Sequence, residues 1–171
     1  MNRKLFLYTA GGFLFTSLAG SALHFAYEYS GYNPFVGMFA PVSESVWEHM
    51  KLVFFPSLLF LLPGWPFFRK AFPAYITAFL TGILTGTLAI PIAYYTYSGI
   101  LGASFLSLDI LSFLLCVLLD YYLSFQLCLL PQGKSIPPVL VVFLTVALMT
   151  GFFFFTFQPP DTGIFSLPAT S

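Results

Sequence analysis

Charge is what this chain has least of: six basic and six acidic side chains in 171 residues, or 7%, with a net charge of zero. Soluble domains carry roughly 25% charged residues, so composition argues against a water-soluble globule. The balance of signs leaves no basic surface for phosphates, and no nucleic-acid partner is expected. Cysteine is nearly absent as well. Cys116 and Cys128 fall in or beside one apolar segment, ~18 Å apart along a helix, a separation that no disulfide bridges. They read as small packing residues and say nothing about redox compartment. There is no internal repeat, no loop long enough for a second soluble domain, and neither an HExxH nor a paired ExxH set. The sequence names no reaction.

What is present is apolar: 58% of residues are hydrophobic, 20% are aromatic, and 23 are phenylalanine. A membrane span needs only ~20 mostly apolar residues. Hydropathy and helix breakers mark spans at about 5–27, 43–66, 73–97, 105–130 and 136–157. An all-α polytopic membrane domain of about five transmembrane helices is therefore expected over residues 1–171, with an interfacial or re-entrant loop at 28–42. The second span is short from Leu52 onward, but begun at Ser43 it reaches ~30 Å before Pro63. The N-terminus has a basic start and an apolar stretch like a secretory signal. The apolar run continues past Ala22 through Leu23 and Phe25, so an uncleaved first helix is expected.

Positive residues favour cytoplasmic loops. Five spans place Arg3, Lys4, Arg69, Lys70 and Lys134 on one side. They leave Glu28, Glu44, Glu48, Asp161 and the span start at Asp109 on the other, with Lys51. The N-terminus is expected inside and the C-terminus outside. Tyr27, Tyr29, Tyr32, Trp47, Tyr94, Tyr95 and Tyr97 would form the outer aromatic belt, and Trp65 the inner one.

Against so little charge, the run from Asn33 to Pro56 stands out, because it holds Glu44, Glu48, His49 and Lys51 directly before an apolar stretch. Ser45 and Glu48 have the spacing of a capping box, acids suit a helix start, and Lys51 lies three residues from Glu48. Those features explain part of the cluster without any function. Upstream, Gly12, Thr16, Gly20, His24 and Glu28 recur at steps of four with Ser17 and Ser21 beside them, a small, polar face suited to helix packing. Thr81, Gly82, Thr85 and Gly86 repeat the pattern in the third span. His24 and Glu28 are a different matter, since ionisable groups near hydrocarbon need partners. One turn apart, they could share a proton or a cation, or make an ordinary hydrogen bond at the headgroup level.

The topology brings His24 and Glu28 to the same face as Glu44, Glu48 and His49. Two imidazoles and several carboxylates could bind Zn²⁺, Mn²⁺ or Fe²⁺, and could equally form a proton relay. Asp109 enters the fourth span on that face as a secondary candidate, with Lys51 to balance charge or meet a lipid phosphate. Asp120 lies deeper and must be protonated or paired, with Tyr121, Tyr122, Gln126 or another span.

The stretch "LHFAYEYSGYNPFVGMFAPVSESVWEHMKLVFFP" resembles the hallmark of an uncharacterised family of small bacterial multi-pass membrane proteins, whose motif reads N-P-x-x-G-x-F-x-P-V-N-E-S-x-W-E-H-x-K. The matching residues are His24, Glu28, Asn33, Pro34, Gly37, Phe39, Pro41, Val42, Glu44, Ser45, Trp47, Glu48, His49 and Lys51. The ending "FTFQPPDTGIFSLPATS" resembles that family's Pro-Pro tail. Ser43 stands where the family commonly has Asn, and Leu167 where an acidic residue is usual before Pro168, which puts a tail-borne acidic ligand in doubt. The resemblance implies a membrane protein and no particular activity; the location expected is the bacterial cytoplasmic membrane. Three functions are carried forward: a metal or polar-ligand site, as in a membrane-embedded enzyme on a lipid-type substrate; a small transporter with a proton or cation path through Asp109 and Asp120; and a structural or regulatory subunit of a membrane complex. The partners expected are membrane lipid and either further copies of the chain or a larger complex.

Overall fold

A computed structural model describes residues 2–130 and 136–166, and within them every regular element is helical. Lys134 and the Leu167–Pro168 step lie outside the described residues. The elements are α1 (Asn2–Tyr29), α2 (Pro34–Gly37), α3 (Val46–His49), α4 (Lys51–Phe68), α5 (Tyr75–Leu101), α6 (Leu106–Cys128) and α7 (Pro138–Phe157), closed by a 3₁₀ turn at Gly163–Phe165. Met50 joins α3 to α4 without leaving the right-handed helical region (φ −59°, ψ −29°). Five stretches are long and apolar enough to cross a membrane: Asn2–Tyr29, Val46–Phe68, Tyr75–Leu101, Leu106–Cys128 and Pro138–Phe157.

Two boundaries differ from expectation for physical reasons. The second span, expected to end near 66, continues through Pro56, Pro63 and Pro66 to Phe68. Each proline removes one backbone donor and frees a carbonyl, which a membrane helix tolerates when neighbours cover the freed groups. The carbonyls freed are those of Leu52, Leu59 and Leu62; beside them, the Phe60 and Leu61 carbonyls accept from the hydroxyls of Tyr8 at 2.5 Å and Tyr75 at 2.9 Å. The third span runs to Leu101, past the expected 97, until Gly102 adopts φ +74° and ends it. The segment after α1 turns at Gly31 and Tyr32, both with positive φ. It then forms α2, where the Asn33 side chain accepts from the Phe35 N–H at 2.9 Å.

Small residues set the packing. α1 runs antiparallel to α4: a Cβ at Gly12 would strike Tyr121 and Phe60, and one at Gly20 would sit 2.5 Å from the Leu52 carbonyl oxygen. That is the carbonyl left free by Pro56. Gly82 and Gly86 bring α5 against α6, with a Gly86 Cβ falling 2.8 Å from the Cys116 carbonyl oxygen. Such small-residue contacts draw helices together where lipid offers no hydrophobic driving force. The common core gathers Val53, Phe54, Tyr75, Phe79 and Ile83. Trp47 is not free at a surface but packs among Phe152, Phe155 and Phe165. Cys116 and Cys128 are buried free thiols.

Candidate functional site

The polar stretch before the second span divides into two halves with different surroundings. Ser45 caps α3, its hydroxyl accepting from the Glu48 N–H at 3.4 Å. The reciprocal arm of a capping box is missing, because Glu48 Oε2 accepts instead from the Val42 N–H at 2.9 Å. Glu48 is 3% exposed and Lys51 is fully buried, their charges 2.7 Å apart. Lys51 Nζ also donates to the carbonyls of Gly37 at 2.9 Å and Ala40 at 3.4 Å, and to Thr156 Oγ1 of α7 at 2.5 Å. The Thr156 hydroxyl in turn lies 3.2 Å from Glu48 Oε1. This is an enclosed, hydrogen-bonded ion pair tying the 37–42 segment, α3–α4 and α7 together. Lys51 balances Glu48 and is out of reach of a lipid phosphate.

His49 and Glu44 face the other way. The His49 Nδ1 lies 2.9 Å from the Ser45 carbonyl oxygen. A carbonyl can only accept, so Nδ1 carries a hydrogen; Nε2 donates to Glu44 when the ring is protonated and offers a lone pair when the ring is neutral. Nε2 lies 3.4 Å from Glu44 Oε2. His24 comes from α1, its ring centre 5.1 Å from that of His49, and its buried Nδ1 has no hydrogen-bond partner. One ligand atom from each of His24, Glu44 and His49 lies within 4.8 Å of the others. The His49 hydrogen bond, reinforced by the nearby charges of His49 and His24, holds the Glu44 carboxyl below its ordinary range despite partial burial.

These three residues line a cavity of about 140 Å³ whose far wall carries Asp109 and Ser112 of α6. The Asp109 carboxylate accepts from the Tyr97 hydroxyl of α5. Leu52, Ile90 and Phe113 make the rest of the wall apolar.

The sequence candidates therefore separate. His24, Glu44 and His49 converge, and Asp109 shares their cavity. Glu28 is exposed on α1 and has no ion pair among the described residues, Glu48 and Lys51 are enclosed together, and Asp120 is buried far down α6. Sequence reasoning missed Tyr97, Ser112 and Thr156. Thr156 had a faint signal, as a lone hydroxyl in the run "FFFFTF".

Two imidazoles and one carboxylate are a donor set of zinc sites that keep a position open for water or substrate. The Nδ1–H of His49 held by a carbonyl is the outer-sphere bond that orients such a ligand. Metal bonds of ~2.0–2.2 Å put tetrahedral ligand atoms roughly 3.5 Å apart, so the side chains would close in by about an ångström. Metal could be held here; no chemistry follows from that alone.

A family model described as a family of unknown function, DUF6512, matches residues 2–170, and the chain belongs to that family. No curated protein and no solved structure matches the chain.

Proposed function

Starting from membership of a family with no assigned activity, we propose that this is an integral membrane protein that holds a divalent metal ion on His24, Glu44 and His49. The convergence of those three donors on one cavity carries the reading. Imidazole with a single carboxylate favours Zn²⁺ over the harder Mn²⁺. The site lies at the end of the bundle opposite Arg3, Lys4, Arg69 and Lys70, and that charge bias supports an outer-face position in a bacterial cytoplasmic membrane. With three protein ligands an open position remains for water, and Asp109 across the cavity, steadied by Tyr97, is the base that would take a proton from it. The apolar wall at Leu52, Ile90 and Phe113 suits an amphiphile whose polar head reaches the metal. Metal-assisted hydrolysis or transfer at a lipid head group is the reaction class this supports.

The buried Glu48–Lys51 pair favours a second role for its half of the cluster. Its groups are hydrogen-bonded within the protein, which suits a scaffold that fixes the start of α3 and so the aim of His49.

Elemental analysis of protein purified without chelator tests the reading. Wild type and Glu28→Gln should carry about one metal ion per chain, and His49→Ala and His24→Ala should lose it. A folded wild type that arrives without metal and takes up none on titration with Zn²⁺ would overturn it.

A further inference from the structure

Away from the outer cavity, a second polar group lies near the middle of the spans. Thr16 of α1, Ser57 of α4 and Tyr121 of α6 share hydrogen bonds, Thr16 to Tyr121 at 2.8 Å and Thr16 to Ser57 at 3.3 Å. Beside them Asp120 is fully buried, and the Ser124 hydroxyl donates to its Oδ1 at 3.3 Å. Oδ2 is enclosed and accepts no hydrogen bond of ordinary geometry, although the Ser57 hydroxyl of α4 faces the same carboxyl group. Polar groups at this depth are costly and rare, and an empty carboxylate oxygen is the costliest arrangement among them.

The groups facing Asp120 can be named element by element. α5 brings Gly82 and Gly86 against it, α4 brings Ser57, and α6 brings Ser124 and Tyr121. Among the described residues no lysine, arginine or histidine is there to pair with a carboxylate. Space decides what else could neutralise it. Asp120 has 0% exposure, so no water-sized void touches it. A Cβ on Gly82 would lie 2.8 Å from Oδ1 and 2.5 Å from the Asp120 carbonyl oxygen. A sodium ion, bare or hydrated, needs room that close packing denies. A proton needs none.

We infer that Asp120 is an intramembrane proton-binding site, with the proton held on Oδ2. Binding is simple in its balance: the carboxylate and one proton become a neutral carboxylic acid, an O–H bond forms, and the local charge goes from −1 to zero. Losing that proton would leave a bare charge in the α5–α6 interface. Uptake and release therefore require the two helices to part, which couples the proton to their packing. The site shares no residue with the outer metal cluster and stands or falls independently of it.

Infrared difference spectroscopy of wild type against Asp120→Asn, in lipid nanodiscs at neutral pH, is the test. The wild type should show the carbonyl stretch of a protonated carboxyl group, shifted in D₂O and lost in the variant. Asp120→Asn, neutral and isosteric, should fold with wild-type stability and keep the wild-type metal content. Absence of the band from folded wild type, or its survival in Asp120→Asn, would overturn the assignment. Stabilisation of wild type by Na⁺ but not by choline, lost in Asp120→Asn, would overturn it in favour of a metal cation. Should Asp120→Asn fail to fold, Asp120→Glu takes its place: the band must persist at an altered frequency, and an unaltered band refutes the site.

Discussion

Replacing Lys51 by methionine probes the enclosed ion pair most directly. Methionine keeps much of the volume and removes the charge. Glu48, 3% exposed, is then a buried carboxylate without its cation, and breaking such a pair from one side costs about 3–5 kcal/mol. The surroundings place the value within that range. Glu48 keeps the Val42 N–H and the Thr156 hydroxyl, which pulls towards about 3 kcal/mol. The carbonyls of Gly37 and Ala40 lose their donor, and an unsatisfied buried group costs about 1–3 kcal/mol, which pulls back towards 5. Removing both charges, as Glu48→Gln with Lys51→Met, should recover most of the loss, because a buried pair replaced as a unit is often neutral. The cycle of two single variants and the double, read by SDS unfolding in mixed micelles, isolates the coupling. Hydrogen exchange on residues 37–42 should quicken in Lys51→Met, since Lys51 is what ties that segment down. A Lys51→Met loss under about 1 kcal/mol, the range of an exposed pair, with unchanged exchange, would refute the enclosure.

Two further outcomes follow from the geometry. Glu44 has its folded carboxyl held below the ordinary value of 4.5, so its contribution to stability is complete above the unfolded value and fades only as pH falls through the lowered folded one. Carbon-13 NMR should find Glu44 in wild type still ionised below the ordinary carboxylate value, and His49→Ala should bring its titration back up; a Glu44 that titrates at the ordinary value in wild type contradicts the contact with His49. Gly86→Val, which drives a Cβ to 2.8 Å from the Cys116 carbonyl oxygen, should cost roughly 1–3 kcal/mol or more. Gly99→Ala in the same helix meets nothing within 4 Å and should be neutral or stabilising by up to about 1 kcal/mol; equal losses in the two, by thermal unfolding in detergent, would contradict the close α5–α6 approach.

The spans were legible because length and hydropathy are local properties, and the five helices fall within a few residues of where the apolar runs begin and end. The passage of α4 through three prolines was not, since it depends on how other helices pack against it, as where Gly20 of α1 sits against the Leu52 carbonyl that Pro56 frees. His24, Glu44 and His49 could be named from the sequence as rare polar groups on one face. Their separation from Glu48 and Lys51 could not. Glu44 precedes the cap at Ser45 and so follows no helical periodicity, whereas Glu48 and Lys51 are drawn inward by carbonyls of the 37–42 segment and by Thr156, 105 residues downstream of Lys51. Spacing along a chain carries no record of such a distant partner.

That last separation bears on how the protein is made. Lys51 and Glu48 leave the ribosome long before Thr156, and at roughly 5–20 residues per second the 105-residue interval lasts on the order of 5–20 s. For that period the nascent chain holds two charges whose closing hydroxyl has not yet been synthesised. Arrival of the final helix completes their shell. Enclosure of Lys51 is thus a property the chain acquires last, when α7 packs against the segment that already holds the rest of its partners.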